Sequence, residues 1–124
     1  MRTLLLSAVA ALAVLTTAAG PAPTTKVSKP FAGAKVNGGT VTMVMDAGKV
    51  TLTLSDDFRT PDTPDPHWQV VDTRGQVFTL ERLMIKGDRL NKTITLPRDV
   101  KGVAKVVIYC AWAEANLGET TFDK

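Results

Sequence analysis

Apolar and polar residues alternate along two neighbouring stretches of the chain, residues 40–45 and residues 50–55. Each stretch has one apolar face and one face rich in threonine, as expected of a sheet with one side against a core. Residues 46–48, which include a glycine, separate the two stretches. Two alternating runs joined by such a turn predict a β-hairpin.

Residues 104–112 have the strongest strand pattern in the chain, because both of their faces are apolar. Cys110 and Trp112 lie on one predicted face, together with Val106 and Ile108. A strand with neither face well solvated is predicted to be central in its sheet. Further strands are predicted at residues 67–71, 77–80, 92–96 and 119–122.

Turns and loops separate these runs, and no stretch shows a helical period over about ten residues. Residues 56–66 contain three prolines and four aspartates, so this segment is predicted to be a loop. About seven or eight short strands with regularly spaced turns predict an all-β fold. We therefore expect a single antiparallel β-sandwich or barrel-like domain over residues 31–122.

The N-terminal residues have the pattern of a secretory signal peptide. Arg2 precedes an apolar run over residues 4–15, and small uncharged residues follow the run. The run has about a dozen residues, whereas a membrane-spanning helix needs about 20. We therefore predict a signal peptide over residues 1–19, cleaved near Ala19. Cleavage after Ala22 and an uncleaved membrane anchor are the alternatives.

The segment after this signal, residues 20–30, is rich in proline and is predicted to be a flexible tether. Export implies a periplasmic or secreted protein, with no integral membrane segment after signal cleavage. The chain has 15 basic and 12 acidic residues, and the two kinds are interspersed apart from a short acidic cluster. Because no basic stripe results, nucleic acid is not an expected partner.

The chain has one cysteine, Cys110, which therefore has no intramolecular disulfide partner. A lone cysteine in an exported protein indicates a free thiol, a bound group or an intermolecular bond. The apolar residues on its predicted face would raise the pKa of the thiol, because burial disfavours the thiolate. Free cysteine is also among the most frequently buried residues, so an inert core cysteine is the alternative.

Several motifs, taken in chain order, resemble the DM13 domain family over about residues 31–122, which is nearly all of the predicted domain. They are a glycine-rich hairpin, Leu52-x-Leu54-x-Asp56-Asp57-Phe58-x-Thr60, Pro64-Asp65-Pro66-His67, Leu90-Asn91-Lys92-Thr93-Ile94-Thr95-Leu96-Pro97, Val106-Val107-Ile108-Tyr109-Cys110-Ala111-Trp112 and Leu117-Gly118. The order and spacing of these motifs make the resemblance specific, since each motif alone would be weak.

The resemblance implies an extracytoplasmic redox or electron-transfer accessory module. In that family the lone cysteine is suggested to be a free thiol or a ligand of a prosthetic group such as haem, and only Cys110 carries over directly. Asp65 matches the family motif without a known role. Family members often accompany other domains, whereas we expect a single domain here, so the redox partner would be a separate protein.

His67 and Trp112 are the further candidates for binding a cofactor. A thiolate and an imidazole together can ligate haem or copper, and His67 is the only histidine. One cysteine and one histidine are too few for a structural zinc site, and no C-x-x-C-H motif predicts covalent haem. A surface or strand-capping histidine and a core tryptophan are the alternatives for these two residues.

The remaining patterns favour no classical enzyme. The aspartates at positions 56, 57, 62 and 65 could bind calcium, but they lack the spacing of an EF-hand loop, and aspartate beside proline is typical of turns. No nucleophile, phosphate-loop or metalloprotease motif is present. The alternative to a redox module is therefore a non-catalytic cell-envelope binding or structural module with a buried, inert cysteine.

Overall fold

The computed structural model describes residues 22–85 and 89–123, so the predicted signal peptide lies outside the described residues. Within these ranges the chain forms strands and no helix, and hence no helix with the length and apolarity to cross a membrane. The strands are β1 Thr24–Val27, β2 Val41–Asp46, β3 Lys49–Leu54, β4 Pro66–Asp72, β5 Val77–Arg82, β6 Met84–Ile85, β7 Arg89–Leu90, β8 Thr93–Thr95, β9 Val103–Cys110 and β10 Ala115–Thr121.

Eight of these strands form two antiparallel sheets of four. Sheet I has the order β1-β2-β3-β8, and sheet II has the order β10-β9-β4-β5. The short strands β6 and β7 pair with each other. The predicted all-β class is confirmed, and the architecture is a β-sandwich in which no strand belongs to both sheets. The apolar faces of both sheets supply the buried core.

The predicted hairpin is confirmed as β2 and β3, which pair from Val41↔Leu54 to Asp46↔Lys49. The turn between them has two residues, Ala47 and the glycine after it, with φ values of 52° and 81°. Positive φ at both turn residues gives a backbone twist that matches the twist of the paired strands. The glycine suits this turn, whereas alanine adopts a positive φ rarely, so the ladder and the apolar face of the hairpin hold Ala47 in this conformation.

The prediction that residues 104–112 form a central strand is confirmed for β9, which lies between β10 and β4. The strand ends at Cys110, however, and residues 111–114 form the turn into β10. Trp112 lies in this turn with 74% of its surface exposed. The expectation that it shares the buried face of Cys110 is therefore wrong. The turn begins directly after Cys110, and a positive φ of 51° at Glu114 completes the reversal into β10.

Residues 20–30, expected to form a flexible tether, instead include the edge strand of sheet I. Strand β1 pairs with β2 along its whole length, from Thr24↔Met45 to Val27↔Thr42. All four side chains of β1 are exposed, so burial contributes little to its placement. The strand is held by its backbone ladder, which a prediction from apolar periodicity does not detect.

The chain that leaves β1 crosses to sheet II and covers the edge of β10. Isolated bridges join Ser28 to Phe122 and Ala32 to Glu119. The Ala32 N–H donates to the Glu119 carbonyl at 3.0 Å, and the Glu119 N–H donates back at 3.0 Å. This crossing segment, residues 28–36, therefore links the two sheets along one side of the sandwich.

Two glycines allow the crossing segment to lie directly on β10. A Cβ atom added to Gly33 would meet the carbonyl oxygen of Leu117 at 2.6 Å. A Cβ atom added to Gly118 would meet the Cβ of Val36 at 2.7 Å. These separations are shorter than a carbon side chain accepts, so the two backbones can approach only through glycine.

We predict that Gly118→Ala lowers the free energy of unfolding by about 1–3 kcal/mol, because the added methyl group overpacks the crossing. Urea unfolding of the variant and the unchanged protein measures the difference. Gly75→Asn is the matched control, because nothing lies within 4 Å of its Cβ position and asparagine tolerates the positive φ of this turn. An unfolding midpoint for Gly118→Ala equal to that of the control would contradict the packing argument.

Candidate functional site

Cys110 is the last residue of β9 and lies inside the sandwich, with 1% of its surface exposed. Its partners across the two ladders are Pro66 in β4 and Ala115 in β10. The turn that follows β9 therefore begins beside the thiol, and the loop that precedes β4 ends beside it. The position combines burial with a close group of backbone polar atoms at one end of sheet II.

Backbone N–H groups around Cys110 lower the pKa of its thiol below the ordinary value of 9.0, with the N–H of Ala113 having the largest effect. Burial acts next and in the opposite direction, because it disfavours the charged thiolate. The N–H groups of Asp65 and Trp112 and the hydroxyl of Thr63 lower the pKa further. Burial raises this pKa, as expected, but the donors of the following turn and of the loop outweigh it, so the net shift is downward.

Thr63 is a component of the site that the sequence pattern did not reveal. Its hydroxyl oxygen is buried and has no hydrogen-bond partner in the part of the chain that the structure describes. The Thr63 N–H donates to the Pro61 carbonyl at 3.0 Å, and this tight turn holds the residue beside Cys110. Its position two residues before the Asp65 of the quoted loop motif is the only sequence signal that could have suggested it.

Asp65 fixes the loop against the cysteine through both its backbone and its side chain. Its carbonyl accepts a hydrogen bond from the N–H of Ala111 at 3.0 Å. Its carboxylate contacts Arg82 Nε at 2.7 Å and His67 Nε2 at 3.1 Å. Arg82 also donates from Nη2 to the Pro64 carbonyl at 3.0 Å. Asp65 is therefore a positioning residue, and Arg82 is a second participant that the sequence analysis did not identify.

His67 lies on the opposite face of sheet II from Cys110. It pairs with Tyr109, whereas Cys110 pairs with the preceding residue of β4, and side chains alternate between faces along a strand. Both of its ring nitrogens already face acceptors, since Nδ1 lies 2.8 Å from the Leu80 carbonyl and Nε2 faces the Asp65 carboxylate. The ring is thus held in place by its neighbours on the outer face.

The structure does not bring the three candidate site residues together. Cys110 is buried, His67 lies on the other face of the sheet, and Trp112 extends into solvent. Among the described residues, no group of three or more His, Cys, Asp or Glu side chains could hold a metal ion. Joint ligation of haem or copper by Cys110 and His67 therefore does not fit the arrangement of these residues.

Three of the four aspartates in the loop before β4 each have their own polar partner. Asp56 forms an exposed ion pair with Lys92 at 3.1 Å, and Asp57 accepts a hydrogen bond from Ser55. Asp65 faces the outer surface of sheet II with its two basic partners. Because these carboxylates point to separate partners, they do not form the convergent oxygen cage that calcium requires.

Comparisons of the chain with protein-family models, with curated proteins and with solved structures find no match. The resemblance to the DM13 domain therefore stays a prediction from the quoted motifs. The chemistry of the site must be argued from its own residues, of which Cys110, Thr63 and Asp65 and the turn over residues 111–114 form the centre.

We predict that Thr63→Val raises the pKa of Cys110, because the change removes a hydroxyl dipole and keeps the shape of the side chain. The ultraviolet absorbance of the thiolate, followed against pH, measures the pKa without requiring access of a reagent to the thiol. Thr121→Val is the control, because Thr121 is exposed and pairs with Lys105 at the far end of β10. Equal titration curves for both variants would exclude the Thr63 contact.

We also predict that Cys110 makes the stability of the protein depend on pH. The pKa of the thiol is lower in the folded than in the unfolded chain, so the folded state gains stability as the thiol ionises. This contribution is fully present above the unfolded pKa near 9.0 and is lost as pH falls through the lowered folded pKa. The difference in unfolding free energy between the unchanged protein and Cys110→Ala should therefore increase across this interval. A pH-independent difference would contradict the prediction.

Proposed function

We propose that the chain is an exported redox accessory module whose functional group is the thiol of Cys110. The observation that supports this proposal is the position of Cys110 at the end of β9, opposite the first residue of β4 and beside the loop that the Ala111 N–H holds at the Asp65 carbonyl. Backbone N–H groups of this loop and of the following turn lower the pKa of the thiol. A thiolate, and not a thiol, is the nucleophile and the ligand form of cysteine. The surrounding backbone thus favours the reactive form of a residue that its burial alone would keep inert.

The chemistry available to such a thiol is exchange with a disulfide of a separate partner protein. The Cys110 thiolate would attack one sulfur of the partner disulfide, forming a mixed disulfide and releasing the other partner sulfur as a thiolate. Because the chain has no second cysteine, a thiol of the partner or of a third molecule must resolve the mixed disulfide. Resolution by the partner's own thiolate only re-forms its disulfide. A dithiol of a third molecule completes the transfer: its first thiolate attacks the Cys110 sulfur and releases the reduced partner, and its second thiolate then forms the new disulfide and releases the Cys110 thiolate.

The proposal requires the turn over residues 111–114 to move, because only 1% of Cys110 is exposed. Trp112 lies in this turn with 74% of its surface in solvent, so a partner that packs against it would touch the segment that covers the thiol. Asp65, held by His67 and Arg82, would keep the loop before β4 in place on the other side of the thiol. Opening would then be confined to one turn.

The prosthetic-group form of the proposal has less support than the thiol form. The imidazole of His67 and the thiol of Cys110 lie on opposite faces of sheet II and cannot share one haem or copper. Cys110 would have to serve as the sole ligand among the residues named for this role. We therefore base the proposed redox function on the thiol.

A second candidate function is a non-catalytic cell-envelope binding or structural module with an inert cysteine. The near-complete burial of Cys110 within the apolar core supports this alternative. The two candidates differ in how the thiol becomes accessible. A redox thiol must be reached by local opening of one turn, whereas an inert core cysteine is reached only when the whole domain unfolds.

We predict that the native protein reacts with an aromatic disulfide reagent through local opening. The reaction rate should vary little with low concentrations of urea, because local opening exposes little surface. Its pH dependence should follow the lowered pKa of the thiol. A rate that rises with urea as steeply as global unfolding would favour the inert-cysteine alternative.

The matched control is the double variant Cys110→Ala and Val106→Cys. Position 106 is buried on the same face of β9 but in the middle of the strand, where no turn can open. Its thiol should react only through global unfolding.

An absorption spectrum and metal analysis of the protein from its native envelope complete the test. A Soret band or stoichiometric metal that Cys110→Ala removes would replace the thiol form with the prosthetic-group form.

A further inference from the structure

A cavity of about 430 Å³ lies between the β2–β3 turn and the chain segment that follows β8. The basic side chains of Lys49, Arg98 and Lys101 line it, together with Thr95 and the turn residues 47–48. Lys101 precedes β9, whereas Cys110 ends that strand. The cavity and the thiol are thus separated by an eight-residue strand of roughly 25 Å, so the cavity is distinct from the candidate redox site.

The fold brings the three basic residues together from two separate parts of the chain. The Leu96 N–H donates to the Val50 carbonyl at 2.9 Å, which attaches the end of β8 to the hairpin that carries Lys49. The Val100 N–H then donates to the Pro97 carbonyl at 3.1 Å, closing a turn. Val100 is buried and anchors this turn, and Arg98 and Lys101 on either side of it line the cavity.

The positive charges of this cavity lack compensating partners. Within the described residues, none of Lys49, Arg98 and Lys101 forms an ion pair, and no carboxylate lines the cavity. Asp46 faces Lys49 across the hairpin and Asp99 lies within the turn, but neither reaches an ion-pair distance. Elsewhere on the described surface three lysines pair with carboxylates, namely Lys29, Lys92 and Lys105. Four further basic residues of the described ranges are also without an ion pair, namely Lys26, Lys35, Arg59 and Arg74, so the distinguishing feature of the cavity is that three basic residues line one cleft. The three basic residues are exposed, and a cleft lined by one sign of charge raises the local concentration of ions of the opposite sign.

We infer that this cavity binds a phosphate group, as inorganic phosphate or as the phosphomonoester of a larger molecule. A phosphomonoester carries about two negative charges at neutral pH and has several acceptor oxygens, which suit three cations in one place. The planar guanidinium of Arg98 can donate two parallel hydrogen bonds to such oxygens, and Thr95 adds a hydroxyl donor. The volume is within the range of small-molecule sites, so a substituent on the phosphate can also be held.

The first experiment is a titration of the isotope-labelled protein with inorganic phosphate at low salt, followed by amide chemical shifts. We expect saturable shifts at Gly48, Thr95 and Lys101, which surround the cavity. Raising the salt concentration should weaken the binding, because it screens the attraction. Cys110→Ala should leave the binding unchanged. The absence of saturable shifts at these amides would overturn the inference.

A charge-matched pair of triple variants tests the role of the three cations. The cavity triple is K49Q/R98Q/K101Q, and we expect it to bind phosphate at least about tenfold more weakly. The control triple is K26Q/K35Q/R59Q, which removes the same number of charges from exposed positions outside the cavity. Amide spectra of both triples verify that they are folded. Equal weakening in the two triples would show that net charge alone attracts phosphate and would overturn the site.

Two further arms distinguish the sources of the phosphate group. Vesicles that contain phosphatidic acid present a phosphomonoester headgroup, and vesicles of phosphatidylcholine alone are the control. If the unchanged protein and the control triple sediment with the phosphatidic acid vesicles and the cavity triple does not, the ligand is a lipid headgroup. Binding of glycerol phosphate without sedimentation would assign a soluble phosphomonoester. Failure of both probes, with inorganic phosphate also unbound, would overturn the inference without affecting the proposed thiol chemistry.

Discussion

The antiparallel pairing of β4 with β9 determines which groups meet at the candidate site. Its register places Pro66 opposite Cys110, so the residue before β4 and the residue after β9 are adjacent. The Ala111 N–H therefore donates a hydrogen bond to the Asp65 carbonyl, and this bond holds the loop before β4 next to the thiol. Because side chains alternate along the strand, the same register places His67 on the outer face of sheet II. A shift of one residue would exchange the two faces and dismantle the arrangement.

The environment of Cys110 balances two opposing electrostatic effects. Removal from water disfavours a thiolate, whereas fixed N–H dipoles favour it and act strongly where little water screens them. The donors belong to the backbone of a tight turn and of an anchored loop, so they need not reorganise when the thiol ionises. The outer cluster of Asp65, His67 and Arg82 contributes indirectly, by keeping one of these donors in position. The two faces of sheet II are thereby coupled through one loop residue.

The sequence predicts the features of this fold that depend on local pattern. The β2–β3 hairpin follows from alternation around a turn with glycine, and the central place of β9 follows from its two apolar faces. The exposed strand β1 was not predicted, because it lacks an apolar face and prolines flank it. The exposure of Trp112 depends on the turn that ends at Glu114, and no residue type in this turn predicts the change of chain direction. The lowered pKa of Cys110 was also missed, since its donors are backbone groups that every residue type can supply.

The pairing of the crossing segment with β10 has a consequence for the order in which the domain assembles. Lys29 and Thr120, which are joined by a hydrogen bond, are 91 residues apart, so this contact closes a very long loop. Contacts of this kind form late, after the more local hairpins have reduced the entropy that loop closure costs. Until residues 28–32 dock, the hydrogen-bonding edge of β10 stays open to any other strand. A chain caught at that stage would be prone to exchange its N-terminal segment with a second molecule, producing a domain-swapped dimer.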